Sequence, residues 1–566
     1  MSGEMILPRI GVFVCSCGTS IGDVVDIPSI VEHSKTLPGV VYASANLYAC
    51  SPEGLNEMRK AIQDYKLDRF VVAACTPRTY ESLFQSAIED AGLNKYMLEM
   101  ANIREQCSWV HMAKQEAATE KAKTLVSMAV AKVRLFKPLE EPEIEINPTT
   151  LVIGGGISGL TSALSLANQG FEVHLVEKQP ELGGLLRRIN RLSPLDRDCS
   201  EVLKPKIESV KSHPNIKIHT FSSVKSVEGF IGNFDVEIES QKRDIERIKA
   251  GTIIVATGAK NLEPLDLYGY GGDERIVTQL ELEERLKTGR LEGINTIVMV
   301  QCAGSRNEER PYCSRICCAE AMKNALLLKE SNPRRDIYIL YRDLQSYGPQ
   351  LSSLEWSAKK QGVKLVIYLE GKPPEVTLMK DAVEVKVFTP LINETMTLEA
   401  DLLVLSTPMI PAEDSRELAR MLKVPLDSDG FFKEANVSLS SVDFATDGIY
   451  VCGAAHSPKN VSESILQALG AASRAAIPMA RGRLRTGAIT AEVDENECSG
   501  CGTCIELCPY KAVKKDERGI ARAIRALCKG CGLCGASCPE GAITIHNFTN
   551  EQLMAQCLVA LGRAGR

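Results

Sequence analysis

Between Thr149 and Leu160 the chain reads as a buried strand that runs into a glycine turn and out into a helix, and this order of elements constrains the fold more than any other stretch. Thr150-Leu151-Val152-Ile153 is a short apolar run, the pattern of a parallel strand covered on both faces. It enters Gly154-Gly155-Gly156-Ile157-Ser158-Gly159, and the helix-patterned Leu160–Gln169 follows. Gly154, Gly156 and Gly159 fit G-x-G-x-x-G with a strand before and a helix after. The first glycine makes the tight turn, the second lets backbone approach a pyrophosphate, and the third lets helix pack on strand. The helix N-terminus, approached through Gly155 and Ser158, then faces the phosphates. A second strand, Phe171–Val176, ends at Glu177-Lys178, where an acidic side chain can bond a ribose hydroxyl, and Gly183-Gly184 follow. Together these features describe a dinucleotide site.

A chain of 566 residues, 44% apolar and 24% charged, should hold three or more domains with ample core. Its net charge of −6 argues against nucleic acid as a main partner. No apolar run reaches the roughly 18 residues of a membrane span, and Met1–Arg9 has no signal-peptide pattern, so the expected location is cytoplasmic. The outlying number is 20 cysteines. In a chain without a secretion signal, clustered cysteines point to metal or redox chemistry.

Residues 1–147 alternate strand and helix. Arg9–Val14, Val40–Ala45 and Phe70–Ala74 read as strands, Pro52–Tyr65 and Tyr80–Ala91 as helices, and Trp109–Leu135 as a long amphipathic helix before a proline-marked acidic linker. Cys15 and Cys17 close the first strand, Cys50 and Cys75 follow the second and third, and Cys107 precedes the long helix. Loops at the carboxyl ends of parallel strands converge, so these thiols can meet, and four thiolates suit an iron–sulfur cluster. Five candidates leave one in excess, and Cys15 and Cys17 are not separable at this level. Buried free thiols are the plain alternative.

Residues 148–285 and 431–485 read as two parts of one nucleotide-binding domain. After Glu177 comes a basic segment with Arg187, Arg188, Arg191 and Arg197, either a solvated face or a docking edge for an acidic partner. Ile216–Ser226 and Phe234–Glu239 read as strands, and Thr252–Ala256 leads into Ala256-Thr257-Gly258, a frequent second element of two-lobed FAD-binding oxidoreductases. The return strand is Gly448–Ala454, turning at Gly453-Ala454, and a helix over Ser462–Ala480 would aim its N-terminus at the flavin pyrimidine. Lys459 is a nearby cation able to tune a flavin, or a plain surface lysine, and His456 is the one histidine near this turn. The expected fold is α/β, a thioredoxin-reductase-like two-lobed FAD domain between an N-terminal α/β cluster-binding domain and a C-terminal α+β two-cluster ferredoxin domain.

Residues 286–430 occupy the place of a nicotinamide lobe. The strand Asn295–Val300 is present, but no glycine fingerprint follows it. Gln301-Cys302-Ala303-Gly304-Ser305-Arg306 stands there, then Cys313, Cys317 and Cys318, before a helix near Ala319 and a strand at Ile337–Tyr341. A phosphate cradle needs glycines and free N–H groups, whereas this loop offers four thiolates for a cluster. Electrons would then reach the flavin singly and not as hydride.

Residues 486–550 contain Cys498, Cys501, Cys504 and Cys508-Pro509, then Cys528, Cys531, Cys534 and Cys538-Pro539 thirty residues on, with a tail at 551–566. This is C-x2-C-x2-C-x3-C-P twice, in which the fourth cysteine of each run serves the other cluster. Cys498, Cys501, Cys504 and Cys538 should hold one [4Fe–4S] and Cys528, Cys531, Cys534 and Cys508 the second. Cys199, Cys452 and Cys557 stay unassigned, and no constellation of catalytic side chains is evident.

With these residues in view, the chain resembles the heterodisulfide reductase A-subunit family along essentially its whole length. The matching marks are Val14-Cys15-Ser16-Cys17-Gly18, Ala74-Cys75-Thr76-Pro77-Arg78, Asn102–Trp109, Gly154–Gly159, Gln301–Arg306, Tyr312–Cys318 and the terminal ferredoxin. The resemblance implies FAD, about four [4Fe–4S] clusters and a place in a multi-subunit complex. The implied partners are B- and C-type heterodisulfide reductase subunits, a hydrogenase or other electron-donor module, and ferredoxin, with electron pairs split at the flavin between a disulfide-type acceptor and a low-potential one. The chain departs from methanogen members in one respect, because Phe221–Thr252 runs through without their inserted ferredoxin, which puts the low-potential branch in doubt. The alternative is a flavin and iron–sulfur hub that does not split electron pairs and feeds another anaerobic reductase, such as an aromatic acyl-CoA reductase complex. A pyridine-nucleotide disulfide reductase would need a second glycine fingerprint and a Cys-x-x-Cys at the flavin, and the sequence has neither.

Overall fold

The computed structural model describes residues 8–193, 197–345 and 348–562. The chain divides into two compact units, one made of Met1–Glu143 with Arg485–Arg566 and the other of Ile144–Leu484. No helix among the described residues is long and apolar enough to cross a membrane.

The first unit is built on a four-stranded parallel sheet in the order Val40–Asn46, Ile10–Cys15, Arg69–Ala74, Leu98–Asn102. Both faces are covered, as parallel sheets require. Ile27–Lys35 and Gln115–Val133 pack on Val12, Val14, Val71 and Ala73, while Pro52–Asp64 and Pro77–Asp90 pack on Phe13, Phe70 and Val72. Proline opens several of these helices, and side chains cap two of them: Asp26 accepts from Ser29 N (3.0 Å) and Ser51 from Gly54 N (3.2 Å). The long helix begins at Gln115, six residues later than the sequence suggests. Arg104–Ser108 forms a π turn, tied to the loop after the first strand by the bond from Ser108 Oγ to Ser20 O (2.6 Å), so it does not continue into the helix.

The same unit contains the C-terminal segment. Two short antiparallel strand pairs, Ala491–Val493 with Ile543–Ile545 and Val513–Lys515 with Ala521–Ala523, accompany the one-turn helices Thr503–Leu507 and Leu533–Ala536. The helix Asn550–Ala560 packs along Gln115–Val133. Lys132 Nζ lies 3.8 Å from the Phe548 ring centroid, Asn547 Nδ2 donates to Tyr96 O (3.0 Å), and Ala488 N donates to the Tyr96 hydroxyl (2.9 Å).

The second unit has two lobes of one design. The first lobe is a five-stranded parallel sheet in the order Ile216–His219, Glu172–Val176, Thr149–Ile153, Thr252–Val255, Ile449–Val451, with the antiparallel meander Ser222–Phe230, Asn233–Ser240, Ile245–Ala250. The run expected as one strand over Ile216–Ser226 is two, because Phe221 takes φ +48° and turns the chain from the parallel sheet into the meander. The second lobe repeats the plan. Its parallel sheet is Ile276–Thr278, Leu402–Leu405, Thr296–Val300, Asp336–Tyr341, Lys364–Ile367, and its meander is Glu375–Leu378, Val383–Thr389, Glu394–Ala400. It is inserted between Val255 and Ile449 of the first lobe, and the antiparallel pair Ala259–Asn261 with Met409–Pro411 carries the chain out and back.

Candidate functional site

The glycine turn does what its spacing demands. Gly154 has φ +109°, and a Cβ there would stand 2.3 Å from Ala256 O; a Cβ on Gly159 would stand 1.8 Å from Gly154 O. The helix Ile157–Ala167 therefore sits against the strand as only glycine allows. A Cβ on Gly156 would meet nothing within 4 Å, so this residue leaves its space open toward a ligand.

Above the turn lies a cavity of about 580 Å³. Of the residues expected at a dinucleotide site, Gly154, Gly156, Ser158, Glu177, Lys178, Gly183, Gly184, Ala256, Thr257, Gly258, Ala454 and Lys459 line it. The remaining four expected residues do not. Gly155 donates its N–H to Glu177 Oε2 (2.7 Å), Gly159 is spent on helix–strand packing, and Gly453 packs against Ser158 while its N–H bonds Gln467 Oε1 (2.9 Å). The fourth is a correction. The capping box of Asn460 and Glu463 starts the helix Val461–Arg481 so that Val461 and Ser464 face the cavity, and Ser462 falls off that face. Glu177 is 7% exposed and also accepts from Gln179 N (2.8 Å). Thr257 Oγ1 and Asn261 Oδ1, in cavity-lining residues, are buried without a hydrogen-bond partner, which suits a polar ligand.

The second lobe closes the cavity with its cysteine loop. Cys302 stands two residues beyond the strand Thr296–Val300, with φ +60°, and Cys317 and Cys318 open the helix Cys317–Ser331. Burial pushes the Cys302, Cys317 and Cys318 thiols up, and the mutual repulsion of Cys302, Cys313, Cys317 and Cys318 adds to it. A thiol set that opposes its own ionisation favours binding of positively charged metal. Arg315, Ile316, Ala319 and Glu320 from this loop and helix line the same cavity as Gly156 and Lys459. Arg315 forms an ion pair with Glu463 of the capping box. Burial raises the Glu320 carboxyl to about 8, and Lys323, 3% exposed, bonds Glu320, Glu283 and Arg191 O (2.8 Å).

In the first unit, Cys15, Cys17, Cys50 and Cys75 gather at the carboxyl ends of the parallel strands. Cys15 is raised by burial with contributions from Cys17 and Cys50, and Cys75 by burial with contributions from Cys17 and Cys15. Cys107, the fifth thiol expected here, is set apart from these four. It is 0% exposed in the apolar core with Ala122 and Val126, where burial raises its thiol to about 11 and no other thiol acts on it. Arg104 supplies the local positive charge, lowering Cys75 while paired to Glu105 at 2.7 Å.

The fourth cysteine of each paired run stands beside the first three of the other. Cys498, Cys501, Cys504 and Cys538 line one small cavity; Cys508, Cys528, Cys531 and Cys534 line another. Backbone N–H groups of Ala512 and Ala491 point at Cys508 Sγ and Cys528 Sγ (both 3.3 Å).

Sequence reasoning missed Arg104, Arg315, Glu320, Lys323, Glu283 and Glu434. The first three stand within three residues of an expected ligand, a usable signal. Glu283 and Lys323 are far apart in sequence and carry none.

Residues 152–203 match the NAD(P)-binding Rossmann-like domain family and residues 491–545 the 4Fe-4S dicluster domain family. Among solved structures, a thioredoxin reductase from T. acidophilum covers 59% of this chain and 98% of its own at 18% identity and a TM-score of 0.41, too low to add to the strand orders above. The first CoB–CoM heterodisulfide reductase iron–sulfur A-subunit of Methanopyrus kandleri is 37% identical over 98% of both chains. Its alignment spans 658 positions, so that relative carries residues with no counterpart among these 566. The H2:CoB–CoM heterodisulfide,ferredoxin reductase A-subunit of Methanothermobacter thermautotrophicus is 37% identical over 99% of this chain and 98% of its own. A heterodisulfide reductase A-subunit-like protein of Archaeoglobus profundus is 34% identical over 97% of both. With identity sustained from end to end, the chain belongs to the heterodisulfide reductase A-subunit family, and it is an oxidoreductase electron-transfer component that binds FAD and [4Fe–4S] clusters.

Proposed function

We propose that this chain splits electron pairs, with FAD in the cavity over Gly156 and four clusters on four sets of cysteines. The sets are Cys15, Cys17, Cys50 and Cys75; Cys302, Cys313, Cys317 and Cys318; Cys498, Cys501, Cys504 and Cys538; and Cys508, Cys528, Cys531 and Cys534. The observation that carries this reading is the shared wall. The loop that replaces a second phosphate turn with thiols lines the cavity through Arg315 and Ile316.

A bound flavin supplies the exchange between two-electron and one-electron transfer. Glu177 would orient the ribose, Gly156 would admit the pyrophosphate, and the N-terminus of Val461–Arg481 would present positive potential to the ring. The thiol loop leaves no glycine cradle for a nicotinamide nucleotide in the second lobe. The names of the relatives print a heterodisulfide and ferredoxin, which supports a disulfide-type acceptor and ferredoxin as partners; B- and C-type subunits and a hydrogenase or similar donor complete the proposed complex.

The second reading, an electron hub without splitting, is favoured by one observation: the meander over Ser222–Ala250 is continuous, with no inserted cluster segment. Two measurements test the function. Anaerobically prepared protein should carry about 16 Fe and one FAD. In the assembled complex, reduction of the high- and low-potential acceptors should be obligately coupled; independent reduction of either would leave the hub.

A further inference from the structure

Iron–sulfur centres pass electrons and no protons, so a flavin that exchanges its electrons with them needs a separate route for its proton. We propose that Lys459, His456 and Glu434 form that route, a proton relay leading out of the cofactor cavity. The inference rests on the reading that FAD occupies the cavity.

The geometry fixes the direction of each hydrogen bond. Gln467 Oε1 accepts from Gly453 N (2.9 Å), which turns the Gln467 NH2 group toward His456 Nδ1 (3.0 Å). Lys459 Nζ also faces His456 Nδ1, at 3.0 Å. Two donors on one nitrogen make Nδ1 the acceptor, so the ring carries its proton on Nε2 and donates it to Glu434 Oε2 (2.8 Å). The chain of donors thus runs from Lys459 at the cavity wall, through the ring, to a carboxylate whose side chain keeps 17% exposure. Glu463, Arg315, Glu434 and Cys452 also act on Lys459, and Asp427 on His456. Burial lowers Lys459 to about 8, within reach of neutrality, and keeps His456 in the neutral form whose Nδ1 can accept.

The step balances as follows. Lys459 gives an Nζ proton to His456 Nδ1 as the ring gives its Nε2 proton to Glu434, which releases it to solvent. The neutral amine then takes the one proton lost by reduced flavin when its two electrons pass to the iron–sulfur centres (FADH⁻ → FAD + 2 e⁻ + H⁺). The reverse sequence carries a proton in.

The test is stopped-flow oxidation of reduced, cluster-loaded protein by hexaammineruthenium(III), with flavin absorbance and a pH indicator followed together and FAD and iron contents checked for each variant. His456→Gln and Lys459→Arg should slow proton release at least tenfold and abolish the solvent deuterium effect on it, with FAD and iron unchanged. Arginine keeps the charge but not the transferable proton, so wild-type proton release in Lys459→Arg would reduce Lys459 to an electrostatic anchor and overturn the relay, as would wild-type release in His456→Gln. Wild-type protein that binds no FAD would instead sink the cavity reading beneath it.

Discussion

Arg315, set between Cys313 and Cys317, forms an ion pair with Glu463 in the first turn of the helix whose N-terminus lines the cofactor cavity. The cysteine loop of one lobe is thereby pinned to the flavin side of the other. Arg315→Met should leave iron and FAD contents unchanged but slow flavin reduction by an external one-electron donor about tenfold, because misplacement by about 1 Å is costly in transfer geometry. Rapid mixing with titanium(III) citrate would read this, and an unchanged rate would show that the pair is incidental.

The two outer glycines of the fingerprint should fail differently. Gly159→Ala puts a methyl group 1.8 Å from Gly154 O, which forces helix from strand at a cost of about 3 kcal/mol and lowers the melting temperature with or without FAD. Gly156→Ala meets nothing in the protein, so apoprotein stability should hold while FAD affinity falls about tenfold or more. Thermal unfolding paired with flavin titration separates the two.

Cys75→Ser should remove about four iron atoms per chain. Cys107→Ala should keep them all and cost about 1 kcal/mol for a small core cavity. Iron analysis decides between the two cysteines, and iron loss in Cys107→Ala would return that thiol to the ligand set.

Cys538→Ser should disturb the cluster of Cys498, Cys501 and Cys504, not that of its own run, and Cys508→Ser should do the converse. EPR of the reduced protein should lose one of two ferredoxin signals in each variant, and a different one.

Burial holds Lys459 near 8 against the ordinary 10.5, so the folded chain releases this proton earlier than the unfolded chain. Between those values the unfolded state binds more protons, and the contribution of this residue to apoprotein stability rises with pH. Urea unfolding at pH 7.5, 9 and 10 should show that rise in wild type relative to Lys459→Met; parallel curves would mean that Lys459 is not shifted.

The glycine turn and the crossed cysteine runs were legible because local spacing dictates each of them. The excess thiol before the long helix was not. Cys107 lies eight residues ahead of the helix at Gln115, and the π turn that rotates it into the core is fixed by Ser108 reaching Ser20, far away in sequence. Ser462 was misjudged by the phase of a helix whose first residue depends on its capping box. The Glu434–His456 bond depends on a loop brought back across the sheet, and pattern reading has no access to such contacts.

The helix Gln115–Val133 packs against Asn550–Ala560, so part of its surface stays bare until that late segment leaves the ribosome. The middle unit is one continuous stretch and can finish folding first. Synthesis therefore imposes an order of maturation: the flavin-binding body forms early, while the unit that brackets it in sequence stays open until its second half has been translated.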